Sequence, residues 1–390
     1  MYTIGEPEIQ AVAEVIRSGK LFRYQGENAS QTDLFEQEWA AKIGVKHALA
    51  VTSGTASLIC ALAGLGVGPG DEVIVPAYTF IASALAALAV GAVPIIAEID
   101  ESLTLDPRDV EAKLTPRTRA IMPVHMNGLN CDMDALMEVA SRRGVLVVED
   151  SCQADGGSYK GKRLGSIGHA GGFSFNYFKV ISAGEGGAMV TNDDEVYQRA
   201  SLFHDGGSVF FKEGVGGETP IFAGWNFRFN EILSAILRVQ LTRLDDILAG
   251  LREDKRLIRE GLEGAGGFTF NRVNDPAGEC AVTLSLLFAT GEEAAAFVAR
   301  LGEAGFAAGS PINSGRHVYA NWEAVMQQRG ASDPRRNPFR SGECEWEYTA
   351  DMCPRTLDLL ARTVNVSMSP TRTAEERVAL VAAMRMASGS

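Results

Sequence analysis

Val145-Leu146-Val147-Val148-Glu149-Asp150 is an apolar run that stops on two acids. A run with no polar alternation reads as a strand buried on both faces, as in parallel sheets covered by helices. Working outward, the same pattern recurs from about residue 45 to 195. Strands are expected at 48–52, 72–76, 93–99, 119–124, 145–149, 172–175 and 188–191, with helix-length segments at 56–65, 82–90 and 133–142. Alternation of this kind implies an α/β fold with a mostly parallel seven-stranded sheet. Ligands in such sheets bind beyond the carboxyl ends of the strands. The acidic pair Glu149-Asp150 is therefore expected to face the ligand crevice.

Further along, Leu233, Ile236, Leu237, Leu241, Leu244 and Ile247 recur at helical spacing, which predicts one long helix over 228–262. A strand near 281–289, a helix over 292–304, a strand at 363–367 and a closing helix over 373–386 follow. Thr371 or Thr373 caps the last, with Glu375 and Glu376 in its first turn. The expected division is a large domain over 1–250, opened by an N-terminal helix, and a smaller α/β domain over 251–390. The polar, Pro- and Gly-bearing stretch 326–350 reads as a long loop, and loops of that length are often lids or contacts.

With 390 residues, 46% hydrophobic and 22% charged, the composition is that of a soluble globular protein. The net charge of −13 argues against a nucleic-acid or anionic-membrane surface. Residues 73–97 carry no charge, but Pro76, Pro94 and many alanines make them a strand, a buried helix and a second strand rather than a membrane span. Glu6, Glu8 and Glu14 in the first helix exclude a signal-peptide reading. Cys60, Cys131, Cys152, Cys280, Cys344 and Cys353 form no CxxC pair and no metal-ligand spacing, so free thiols in a reducing cytoplasm are expected.

Three features carry chemistry. Val51-Thr52-Ser53-Gly54-Thr55-Ala56 leaves a strand and opens an apolar helix. It reads equally as a phosphate cradle of free amides and hydroxyls or as an ordinary helix cap. Asp150 is placed either to hold a pyridine nitrogen protonated or to cap the next turn. Lys179 ends Phe173-Ser174-Phe175-Asn176-Tyr177-Phe178-Lys179, an apolar, aromatic stretch expected to be buried. Burial turns a lysine into a nucleophile, although long lysines also snorkel to the surface. Cradle, carboxylate and lysine stand in the order that a pyridoxal 5'-phosphate enzyme needs.

The chain resembles the DegT/DnrJ/StrS family of sugar aminotransferases. The matching segments are Ser53-Gly54-Thr55-Ala56, Val75-Pro76-Ala77-Tyr78-Thr79-Phe80, Glu149-Asp150-Ser151-Cys152-Gln153-Ala154, Ser174-Phe175 through Lys179, Gly184-Glu185-Gly186-Gly187 and Asn226-Phe227-Arg228-Phe229. The resemblance implies the aminotransferase fold type I. It makes Lys179 the Schiff-base and proton-carrying residue, with Asp150 at the pyridine nitrogen and Gln153 at the ring hydroxyl. Phe80 stacks on the ring, Ser53, Gly54, Thr55, Ala56 and Ser174 hold the phosphate, and Asn226 reaches the phosphate of a second subunit in a homodimer. Relatives with histidine in place of the lysine are sugar dehydratases, so Lys179 implies transamination. At Asp155-Gly156 the chain departs from the family, where a histidine commonly precedes the glycine.

The implied reaction moves an amino group from L-glutamate or L-glutamine to a keto or aldehyde sugar or cyclitol, by way of pyridoxamine phosphate. Several stretches look closest to the branch that aminates C8 of a 3,8-dideoxy-octulosonate, while Pro123-Val124-His125-Met126 also resembles the aminohydroxybenzoate synthases. Candidate substrate contacts are Arg23, Tyr24, His125, His204, Arg228 and His317. A dehydratase or lyase of the aminohydroxybenzoate type and a non-catalytic regulator that binds pyridoxal phosphate are the alternatives.

Overall fold

The structure is a computed structural model that describes residues 2–25, 29–207, 219–340 and 346–389. Its centre is a sheet built from β1 (His47–Val51), β2 (Glu72–Pro76), β3 (Val93–Ala97), β4 (Thr118–Ile121) and β5 (Leu146–Asp150). A short hairpin of β6 (Ser158–Tyr159) and β7 (Lys162–Arg163) precedes the last two sheet strands, β8 (Ala170–Ser174) and β9 (Gly187–Thr191). The spatial order is β1-β9-β8-β5-β4-β2-β3. Strand β9 is antiparallel to both neighbours, and every other pairing is parallel. Six of the seven strands therefore deliver their carboxyl ends to one edge of the sheet. The apolar runs read from the sequence are these strands, their ends differing by at most three residues.

Strands β2 and β3 are buried along their whole length. The crossover helices Gly54–Gly64 and Ala82–Ala89 are apolar nearly all round and bury ten and six of their residues, as helices enclosed between a sheet and other helices must. Residues 73–97 are accordingly strand, helix and strand, and no helix among the described residues is long and apolar enough to cross a membrane. Helix Gln31–Ile43 covers the other side of β8. Trp39 meets Phe173 and Phe175 edge to face, each at 5.0 Å. Because successive strand residues point to opposite faces, the two phenylalanines that hold this helix turn Ser174 to the other face.

One expectation is corrected. The long helix over 228–262 is two helices, Glu231–Leu241 and Leu244–Gly261. Gln240, in the last turn of the former, and Arg243, between the two, both bind Glu8 of the first helix, at 2.6 and 2.8 Å. This tertiary anchoring sits at the break between the two helices. The stretch 326–350, expected as a long loop, has only short 3-10 turns among its described residues beyond Met326 and makes contacts with the sheet. Residues 341–345, and with them Cys344, lie outside the described residues. On either side are 3-10 turns at Pro334–Arg336 and Pro338–Arg340, and then Trp346 and Tyr348. Trp346 donates to Glu72 at 3.0 Å and Tyr348 to the Pro94 carbonyl at 2.6 Å. The segment thus covers the sheet at edge strand β3, whose unpaired backbone needs a partner.

A second sheet, β10 (Thr269–Phe270), β11 (Thr283–Leu287) and β12 (Thr363–Ser367), is antiparallel. Helices Gly291–Glu303 and Ala374–Ser388 pack around it through Phe297, Leu301, Leu380 and Met384. Thr373 caps the closing helix, with Glu376 completing the capping box. Between β11 and β12 the chain returns to the first core, where Val318, Tyr319, Trp322 and Leu360 are buried.

Candidate active site

The carboxyl ends of β1, β5 and β8 meet around one surface. After β1 the chain turns into helix Gly54–Gly64, and Ser53 Oγ accepts the Ala56 N–H at 3.1 Å. Ser53 is therefore the cap. The amides of Gly54 and Thr55 lie in the first turn, where no helical acceptor exists for them. Cap and anion cradle are thus compatible, the side chain serving one and the backbone the other. Thr55 is half-buried and Ala56 buried.

Close approach explains the glycines here. A Cβ on Gly54 would sit 2.7 Å from Ser174 Cβ and 2.9 Å from Cys152 Sγ, and a Cβ on Gly187 2.3 Å from the Ser53 carbonyl oxygen. The cradle, Ser174 and the turn after β5 are consequently one surface. Gly187→Ala is expected to destabilise the chain by about 1–3 kcal/mol through overpacking against that carbonyl. Urea unfolding measures this, and a midpoint equal to wild type would count against the packing.

Asp150 is buried at the end of β5. Its Oδ2 accepts Ser83 Oγ–H at 2.7 Å and its Oδ1 the Cys152 N–H at 3.1 Å. It therefore does cap the next turn, and each oxygen keeps a further lone pair. Glu149 does not face the crevice with it. Strand alternation turns it the other way, where it accepts N–H bonds from Gly165, Ile167 and Gly168 at 2.6–2.8 Å and a bond from His125 Nε2 at 3.0 Å. Gln153 Oε1 accepts the Asn127 N–H at 3.2 Å, and Asn127 Nδ2 donates to the Tyr78 hydroxyl at 3.0 Å. Ser83 and Asn127 were not singled out from sequence. Asn127 has φ of 52°, a conformation that asparagine tolerates better than most residues.

The aromatic run before Lys179 is only partly buried. Phe173 and Phe175 are enclosed, whereas Tyr177 and Phe178 are 65% and 76% exposed and Lys179 is half-buried. Strand β8 ends at Ser174 and the chain then turns, with Lys179 N–H bonded to the Asn176 carbonyl at 3.0 Å. The charge of Lys179 acts on Cys152, Asp155 and His317. Phe80 is partly exposed and its ring centre lies 5.5 Å from that of His317. His317 is half-buried and bonds Ser314 Oγ at 2.6 Å. Burial, and then the charge of Lys179, hold its pKa below the ordinary value, so the imidazole is neutral at pH 7.

The other five substrate candidates have partners within the fold. Arg23 is buried and bridges Asp33 at 2.9 Å and Glu36 at 2.8 Å. Tyr24 donates to Asp205 Oδ2 at 2.8 Å, and Arg228 pairs with the same carboxylate. His125 is buried, its Nδ1 accepting the Cys131 N–H at 3.2 Å while Nε2 binds Glu149. His204 is buried at a helix end, its Nδ1 on the Ser201 carbonyl at 2.5 Å. Asn226 is exposed and accepts the Arg228 N–H at 3.3 Å.

The donor set fits pyridoxal phosphate: first-turn amides with Ser53 and Ser174 for a phosphate, a buried carboxylate, and a lysine beside them. Residues 2–330 match the model of the DegT/DnrJ/EryC1/StrS aminotransferase family. The 3-amino-5-hydroxybenzoate synthase of Amycolatopsis mediterranei is 38% identical over 357 residues, covering 87% of this chain and 89% of that protein. The GDP-perosamine synthase of Caulobacter vibrioides is 45% identical over 248 residues, covering 62% of this chain and 63% of that protein. Among solved structures, a 3-amino-5-hydroxybenzoic acid synthase aligns with a TM-score of 0.83 at 33% identity, over 99% of this chain and 97% of that one. DesV of S. venezuelae aligns with a TM-score of 0.81 at 31% identity, over 98% and 94%. The chain belongs to the DegT/DnrJ/EryC1/StrS aminotransferase family and is a pyridoxal-phosphate-dependent enzyme of fold type I.

Proposed function

We propose that this enzyme transfers an amino group from L-glutamate or L-glutamine to a keto or aldehyde sugar or cyclitol. The observation that carries the reading is a lysine beside the buried carboxylate Asp150 and the Ser53–Ser174 surface, at the carboxyl edge of the sheet. Bound pyridoxal phosphate supplies an electron sink and a carrier for the amine. Lys179 would bond to it covalently and, once released by the incoming amine, act as base; Asp150 would hold its ring nitrogen, Gln153 its ring hydroxyl, and Phe80 would cover its ring. Ser53, Gly54, Thr55, Ala56 and Ser174 hold the phosphate. Lys179 Nζ takes the proton from the α-carbon of the amino donor. Ser83 keeps Asp150 in place, and neutral His317 at the mouth suits a hydroxyl-bearing acceptor.

A panel of keto sugars and amino donors tests the proposal. Keto acid released from the donor should match amino sugar formed, with parallel double-reciprocal lines. The full-length similarity to the benzoate synthases favours one second reading, an aromatising dehydratase or lyase. Product formed without any amino donor would select that reading, and failure to exceed one turnover per protein would leave only a regulator.

The working unit in this proposal is a homodimer with shared sites, Asn226 of one subunit reaching the phosphate held by its partner. Exposed Tyr177, Phe178, Ile221 and Trp225 flank Lys179 and Asn226 in the chain, and Tyr2 meets Tyr177 edge to face at 6.2 Å. Exposed apolar groups of this size are what a subunit contact covers. Mixing an Asn226→Ala chain with a Lys179→Ala chain is expected to restore activity that neither has alone. Absence of rescue, with mixed dimers verified, would count against sharing.

A further inference from the structure

Between β4 and the helix Met133–Arg143 the chain makes a tight turn, His125-Met126-Asn127-Gly128. The turn is pinned at both ends. The His125 N–H bonds the Asp150 carbonyl at 3.0 Å, and the Gly128 carbonyl accepts the Cys280 N–H at 3.0 Å. Asn127 and Gly128 both have positive φ, 52° and 74°, which asparagine and glycine reach at least cost. The Asn127 N–H goes to Gln153 Oε1 at 3.2 Å. A backbone amide can only donate, so the Gln153 atom that faces it is the oxygen. Gln153 Nε2 is left free to donate elsewhere, with no partner among the described residues. The Asn127 side chain is itself fixed, its Nδ2 donating to the Tyr78 hydroxyl at 3.0 Å. Tyr78 is buried, and its backbone bridges Val318 just beyond β2.

We propose that Asn127 and Tyr78 are positioning residues that set the direction of the Gln153 amide, so that Gln153 donates an N–H to the ring hydroxyl of the cofactor rather than accepting from it. The inference rests on the proposed place of Gln153 at that hydroxyl. The two directions have opposite consequences. A donor stabilises the ionised ring oxygen and lowers its pKa, whereas a carbonyl stabilises the protonated form and raises it. Tyr78 carries no charge in this arrangement, since burial pushes its pKa up to about 12. The other titratable groups around this surface are Asp150, Cys152, Asp155, Lys179 and His317, and the variants below leave all five in place.

The test is a pH titration of the absorbance of the full-length chain loaded with pyridoxal phosphate, with no amino donor present. Gln153→Ala is expected to raise the midpoint by about 0.5–1 pH unit, the effect of one hydrogen bond on one protonation state. A fall would mean that the carbonyl faces the ring and would overturn the proposal. Tyr78→Phe, which removes one oxygen atom, should raise the midpoint by a smaller amount and add nothing in a Gln153→Ala chain. A residue that only supports the fold would shift both backgrounds alike, which would also overturn it. Asn127→Gly keeps the positive φ and the backbone N–H but loses the bond to Tyr78, and should match Tyr78→Phe. If Tyr78→Phe does not fold, Asn127→Gly reads the same contact. A midpoint moved by Gln153→Ala but by neither Tyr78→Phe nor Asn127→Gly would overturn the positioning role and leave Gln153 at the ring. A midpoint unmoved by Gln153→Ala would overturn the place of Gln153 itself. Because no turnover is measured, failure of the amine-transfer panel leaves these results standing on their own.

Discussion

Lys179→Ala is expected to lose amine transfer by about 10³-fold or more, since proton transfer by a positioned side chain alone contributes about 10²–10⁴-fold and the covalent attachment is lost as well. The fold should survive. Lys179 is half-buried, and it is its backbone N–H that bonds the Asn176 carbonyl. The variant should still take up pyridoxal phosphate, more weakly, because Asp150, Ser53 and Ser174 remain. In wild type, borohydride should fix the cofactor to Lys179, and in the variant it should fix none. Turnover by the variant within a few-fold of wild type would sink the assignment.

Glu149→Ala is expected to cost about 3 kcal/mol or more, because each buried donor left without an acceptor costs about 1–3 kcal/mol. Three backbone amides and His125 Nε2 bind this one carboxylate, which is wholly buried. Alanine supplies no acceptor and leaves a void that water must fill. The loop over 165–168, which leads into β8, would lose its anchor, and so would the strand end that carries Asp150. Urea unfolding monitored by circular dichroism measures the loss, and cofactor affinity should fall with it. A change below about 1 kcal/mol, the worth of one ordinary hydrogen bond, would mean that the network is not holding the loop.

Glu149 and Asp150 also show how far a sequence can be read. Their neighbouring positions on a buried strand guarantee that they point to opposite faces, but which of them faces the ligand edge depends on what packs against β5. The same limit applies to Ser83, which holds Asp150 across a separation of 67 residues, and to Asn127, which holds Gln153. Neither has a local pattern that marks it. Helical spacing over 228–262 is continuous because hydrophobic period does not register a break. The break lies where Gln240 and Arg243 reach Glu8 in the first helix.

By itself the sequence determined the parallel sheet, because runs of apolar residues with no polar alternation have no other low-energy arrangement than burial on both faces. It also determined the cofactor chemistry, because a capped helix start, a strand-end carboxylate and a lysine in that order serve few purposes together. Only the tertiary structure decided which polar side chains meet. It placed Arg23, His125 and His204 in internal bonds, His317 beside Phe80, and Asp155 in the interior without a hydrogen-bond partner among the described residues. Those outcomes depend on contacts between residues far apart in the chain, and local propensity and periodicity hold no information about them.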